Sequence, residues 1–146
     1  MASYSGVTHH CVKECSLHKS VIRIIAGAHP RSSCRHLFKE LGIFTVASQY
    51  IYSLMKFVIN NPNEFKSNSS VHGYNTRRRD DLHYSRLNLT LAQKGVNYAA
   101  TKVFGHLPNS IKSLTDSHIA FKRKLKEFLN GNSFYSLDEF LNIISG

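Results

Sequence analysis

The sequence predicts a mainly α-helical single domain of about six or seven helices, with irregular or short extended chain near its middle. Apolar residues recur at i, i+3, i+4 and i+7 in successive windows, the spacing of one helix face. The helix stops Pro30, Gly42, Pro62, Pro108 and Gly131 fall at helix-sized intervals. Strict alternation appears in one place, where Leu87, Leu89 and Leu91 are separated by Asn88 and Thr90, as in a half-buried strand.

Residues 1–16 show no clean period and read as a loose N-terminal tail ahead of a domain over residues 17–146. Leu17 to Ala28 reads as a helix whose inner stripe is Val21, Ile24, Ile25 and Ala28, closed by Pro30. Ser32 or Ser33 can cap a short helix through Leu41, with Leu37, Phe38 and Leu41 inward and Gly42 as its stop. Thr45 to Asn60 is the longest strong pattern. Ala47, Tyr50, Ile51, Leu54 and Val58 form its stripe with Met55 beside them, and Tyr52 and Phe57 are read as packing.

A polar connector over residues 62–71 joins two halves, and Val71 to Tyr74 can be extended. Ala92 to Leu107 is helical despite Gly95, with Val96, Ala99, Ala100, Val103, Phe104 and Leu107 inward. Asn109 can cap a short turn through Leu114. Ser117 can cap His118 to Asn130, where Phe121, Leu125, Phe128 and Leu129 face inward and Gly131 stops the run. Ser136 with Glu139 forms a capping box for a last helix, Leu137 to Ile144.

The 146 residues suffice for one compact core, and 42% hydrophobic content argues against wholesale disorder. No apolar run approaches the ~20 residues that span a bilayer, and no secretory pattern opens the chain. The expectation is an intracellular protein, nuclear or cytoplasmic, with no membrane partner, or a fragment whose true start lies elsewhere. Three cysteines, Cys11, Cys15 and Cys34, cannot all pair within the chain, so reduced thiols are expected.

Net charge is +10, which permits binding to phosphate-rich partners without selecting one. The densest charge is Arg77-Arg78-Arg79 behind His72-Gly73-Tyr74-Asn75-Thr76, with Arg86 nearby; a second group is Lys122, Arg123, Lys124 and Lys126. Such runs bind nucleic-acid phosphates or are simply solvated surface. Tyr74 and Tyr84 could stack on unpaired bases, although core packing is the commoner role.

Asp80 and Asp81 are adjacent carboxylates, but the arginines before them would compete with a divalent metal, so they read as salt partners for those arginines. His9, Cys11, Cys15 and His18 can be written as a zinc set, yet they lie close together with no distant ligand pair. Cys34 and His36, two apart, point away from each other on a helix. The nine histidines enter no nucleophile or metal motif, and no glycine-rich phosphate loop is present. No catalytic residue, metal or cofactor is assigned.

Arg31-Ser32-Ser33-Cys34-Arg35-His36-Leu37-Phe38-Lys39-Glu40-Leu41 resembles a segment near the C-terminal end of reverse transcriptase polyproteins of jockey-like non-LTR retrotransposons. The resemblance continues in order through Tyr50-Ile51, Phe57, His72 to Arg77, Gln93-Lys94-Gly95, Phe104, Leu107-Pro108 and Ile111-Lys112. Phe121-Lys122, Leu125-Lys126 and Phe134-Tyr135-Ser136 close it, so it covers roughly residues 17 to 146. The motifs are individually weak, and their shared order is the specific part. Gly105-His106 departs from the family pattern before Leu107-Pro108.

The resemblance implies a region beyond the fingers, palm and thumb of an RNA-directed DNA polymerase. The endonuclease and polymerase centres would lie in upstream parts absent here, so the chain alone is expected not to be an enzyme. Contact with RNA or RNA–DNA hybrid through the basic residues, alongside upstream polymerase domains, is the leading expectation. The alternatives are a structural or protein-contacting module and a small zinc-binding module.

Overall fold

A computed structural model describes residues 5–73, 77–79, 81–83 and 95–144, with side chains described from Glu14 to Ile143 within those spans. The described residues are mainly helical, as expected, and the central stretch expected to be irregular or extended lies partly outside them. Among the described residues eight helices follow in order: α1 Ser5–Ile25, α2 Arg35–Leu41, α3 Val46–Asn60, α4 Asn68–Val71, α5 Val96–Gly105, α6 Asn109–Lys112, α7 His118–Asn132 and α8 Leu137–Ile144. No single helix among them is long and apolar enough to cross a membrane.

The core is built where α3 packs on α5 and α7. Ile51, Met55 and Val58 of α3 meet Ala100, Val103 and Phe104 of α5 and Phe121, Leu125 and Leu129 of α7, all buried. Phe134 and Phe140 complete it, ring edge against ring face at 5.3 Å. The residues on the two sides of the 62–71 connector therefore share one core. Each buried phenylalanine contributes about 1.5–3 kcal/mol through removal of its surface from water. A second, smaller cluster of Ile22, Cys34, Leu37 and Phe38 seats α1 on α2.

Several local expectations hold. Helix α3 fills the pattern read from Thr45 to Asn60, with Thr45 at its N-cap and not in its first turn, the hydroxyl accepting the Ser48 N–H at 3.1 Å. Gly42 stops α2 in the left-handed region at φ 63, where a side chain would strain the backbone. The Ser136 hydroxyl accepts the Glu139 N–H at 3.1 Å. The Glu139 carboxylate, however, takes the N–H of Tyr135 at 2.8 Å rather than that of Ser136, one residue earlier than a standard box.

Others are corrected. The residues read as a loose tail are helical from Ser5 onward, because adding a turn to an already anchored helix costs little compared with nucleating one. The helix ends at Ile25, not Ala28, since Gly27 takes a left-handed turn at φ 60. Its inner face is also different. Ile22 is buried, while Leu17, Val21, Ile24 and Ile25 are 68%, 49%, 79% and 60% exposed. The i, i+3, i+4 stripe is real but points to solvent, and the seat against α2 uses the adjacent face.

Helix α2 begins after Cys34, with neither serine supplying a cap hydrogen bond, and Leu41 is exposed. Tyr50 leaves the α3 stripe and faces water, as does Val96 at the first residue of α5. Gly95 stands at the N-cap of α5 instead of inside a helix begun at Ala92. Pro108 and not Asn109 holds the N-cap position of α6, and Ser117 precedes α7 without a side-chain cap bond. Helix α7 runs through Gly131 and stops at Ser133, which itself takes the left-handed conformation at φ 49. Val71 ends a helical turn rather than starting a strand. Tyr74 and the alternating Leu87–Leu91 segment lie outside the described residues.

Candidate nucleic-acid interface

The arginine turn is held at its base by backbone pairing. Ser67 and Leu82 form an isolated antiparallel bridge, and the His83 N–H donates to the Lys66 carbonyl at 2.7 Å. The N–H groups of Asn68 and Ser69 donate to the carbonyls of Asp81 and Arg79, both at 2.9 Å. The Asn68 side-chain amide donates to the Arg78 carbonyl at 2.9 Å. The first turn of α4 thus uses its otherwise unpaired N–H groups to grip the returning chain. Arg77, Arg78 and Arg79 lie exposed at the tip. The rings of His72 and His83 meet edge to face at 5.2 Å beneath it.

A second grip comes from α6. The Lys112 ammonium donates to the Asp81 carboxylate at 2.6 Å and to the Gly105 carbonyl at 2.8 Å. These side chains are 11% and 19% exposed, so little water screens the pair. Asp81 is therefore the partner of Lys112, not of an arginine as the sequence suggested. The turn at Arg78–Asp81 aims its side chain back toward α6. Asp80 and Arg86 lie outside the described residues. Sequence reasoning missed Lys112 and Asn68, since no local pattern ties either to the arginine run.

The second basic group is divided by helix geometry. Lys122 and Lys126 are four residues apart on α7, and Arg123 lies three before Lys126, so these three share one flank beside the exposed Ile119. Lys124 falls on the other flank, where it pairs with Glu127 at 3.1 Å, both side chains more than half exposed. Among the described residues no carboxylate pairs with Lys122, Arg123 or Lys126. The inward side of α7 is Phe121, Leu125 and Leu129, as expected. Helix α6 connects the two groups: Lys112 grips the turn, and α6 packs on α7.

The motif segments around Arg35 and Tyr135, distant in sequence, meet. Arg35 donates to Glu139 at 2.6 Å, and its guanidinium lies 4.6 Å from the Tyr135 ring centre. The Lys19 ammonium sits 4.0 Å from the same ring, so Tyr135 joins α1, α2 and the segment before α8. Burial pushes the Glu139 carboxyl up, but the Arg35 hydrogen bond, the Tyr135 N–H and the Arg35 and Lys19 charges together hold it below its ordinary value. The Glu139 bond raises Arg35, and burial raises the Tyr135 phenol against the pull of Arg35.

Among the described residues, no group of three or more His, Cys, Asp or Glu side chains is placed to hold a metal. The side chains of His9 and Cys11, half of the zinc set, lie outside them. Cys15 and Cys34 are not joined to each other in a disulfide; the Cys15 thiol reaches the Tyr135 carbonyl at 4.0 Å, and Cys34 donates to the Lys19 carbonyl at 3.6 Å. His36 is exposed while Cys34 is buried, so the two do not meet. No family model, curated protein or solved structure matches the chain.

Proposed function

We propose that this chain is a non-catalytic, nucleic-acid-binding helical module of the kind found at the C-terminal end of a non-LTR retrotransposon reverse transcriptase. It contacts the backbone of RNA or RNA–DNA hybrid through Arg77, Arg78 and Arg79 and through the Lys122, Arg123 and Lys126 flank. Lys124, already countered by Glu127, adds less. The observation that supports this most is the turn. Three consecutive arginines are exposed on a loop whose base is fixed by backbone bonds and by Lys112, so presenting them to phosphate costs little further backbone entropy.

The test is the salt dependence of binding to a short RNA–DNA hybrid. Affinity should fall steeply between about 50 and 200 mM salt. Replacing Arg77, Arg78 and Arg79 by Ala should reduce the log–log slope by about 2.7, or 0.9 for each lost contact. Wild-type binding that ignores salt, or affinity that survives both this change and alanines at Lys122, Arg123 and Lys126, would sink the proposal. A protein-contacting module is the second reading, favoured by the outward apolar stripe of α1. Survival of affinity in those variants would turn attention to it.

A further inference from the structure

Beside the basic flank of α7 lies an open groove of about 560 Å3, bounded by His18 of α1, the chain from Gly42 to Val46, Gln49 and Tyr52 of α3, and Lys126. Its size falls within the range of small-molecule sites, about 300–1,000 Å3. Phe44 and Tyr52 are half-buried in it, their ring centres 5.3 Å apart and their planes tilted by 51°. Among the described residues no acidic side chain lines it. The positive end of α3 is not its source of attraction, because the Thr45 hydroxyl already accepts the Ser48 N–H there and donates to the Phe134 carbonyl. What the groove offers is aromatic surface, the Lys126 ammonium, which no carboxylate pairs with among the described residues, and the exposed amide of Gln49, whose Nε2 reaches Ser53 Oγ at 3.4 Å.

The cation is continuous with the proposed interface. Lys126 shares its flank with Lys122 and Arg123, so a phosphate track along α7 arrives at Lys126 and then at the two rings. We infer that the groove takes one unpaired base of a single-stranded nucleic acid, stacked against Phe44 and Tyr52, with Lys126 on the adjoining phosphate and the Gln49 amide at the base edge. This rests on the nucleic-acid reading above and adds to it a preference for unpaired ends or gaps. A paired base cannot leave its stack without cost, whereas every unpaired base offers a π-face to an aromatic side chain.

The experiment compares fluorescence anisotropy titrations of a labelled single-stranded RNA and an RNA–DNA hybrid of equal length on the whole chain. Tyr52→Leu keeps the apolar contact of the core and removes the ring. It should weaken single-strand binding about ten-fold, as loss of one stacked base does, and leave the hybrid within about two-fold. Gln49→Ala, on an exposed residue that cannot unseat the fold, should weaken single-strand binding about three-fold. Equal losses on both ligands, or no loss in either variant, would overturn the groove and leave the arginine turn standing. A wild-type chain that binds neither ligand would sink both inferences together.

Discussion

The arginine turn and the basic flank of α7 carry similar charge by different means. In the turn, position comes from hydrogen bonds: Asn68 and Ser69 hold the backbone, and Lys112 holds Asp81. On α7, position comes from the core, because Phe121, Leu125 and Leu129 fix the helix rotation that sends Lys122, Arg123 and Lys126 one way and Lys124 the other. Polar pins are local and can be undone without unfolding the domain. A helix face cannot be re-aimed without disturbing everything beneath it. The same count of positive charges therefore has two different sensitivities to mutation.

The largest effect should come from the core side. Phe121→Ala should lower stability by about 3–5 kcal/mol, read from chemical denaturation, and should abolish binding by the α7 flank only as a consequence of unfolding. A loss below about 1 kcal/mol would show that α7 is not anchored as described. Lys112→Met comes next. It strands the Asp81 carboxylate in a poorly hydrated place and should cost about 2 kcal/mol, while loosening the arginine turn and weakening hybrid binding. Unchanged affinity in a folded Lys112→Met protein would mean the turn needs no pin.

Glu139→Gln separates stability from binding, since the Arg35–Glu139 seam involves neither basic group. It should cost about 1 kcal/mol at neutral pH, a value kept low because Arg35 is 38% exposed and partly screened. The pH dependence has a definite sign. The folded carboxyl titrates below its ordinary value of 4.5, so its contribution is present above that pH and is lost as pH falls through the folded value. The gap between wild type and variant should close as the solution is acidified below about pH 4.5. A gap that stayed constant would remove the seam from the stability account. The smallest effect belongs to Lys124→Ala. It should leave hybrid affinity within about two-fold, because its exposed partner Glu127 already offsets its charge. A larger loss would bring the other flank of α7 into the interface.

Local signals were legible in the sequence because their physics spans one turn. Gly42 as a stop, the boundary at Thr45 and the Ser136–Glu139 box each depend on neighbours within four residues. The direction of a helix face depends on what lies across from it, which is why the α1 stripe was assigned inward and stands outward. The basic groups were visible as composition, but their sorting was not. The Asp81–Lys112 pair spans 31 residues, and no period or motif joins its ends. Tyr135 as a shared ring for Lys19 and Arg35 was hidden for the same reason.

The Arg35–Glu139 bridge closes a span of 104 residues, and the Cys15 thiol reaches the Tyr135 carbonyl across 120. Closing so long a span is entropically unfavourable until the helices between have collapsed. The expectation is that this seam, at the rim of the core, forms late, with the low φ of contacts made after the barrier. Glu139→Gln should then hasten unfolding and leave the refolding rate nearly untouched, which makes the two ends of the chain a latch on its lifetime, with no part in starting the fold.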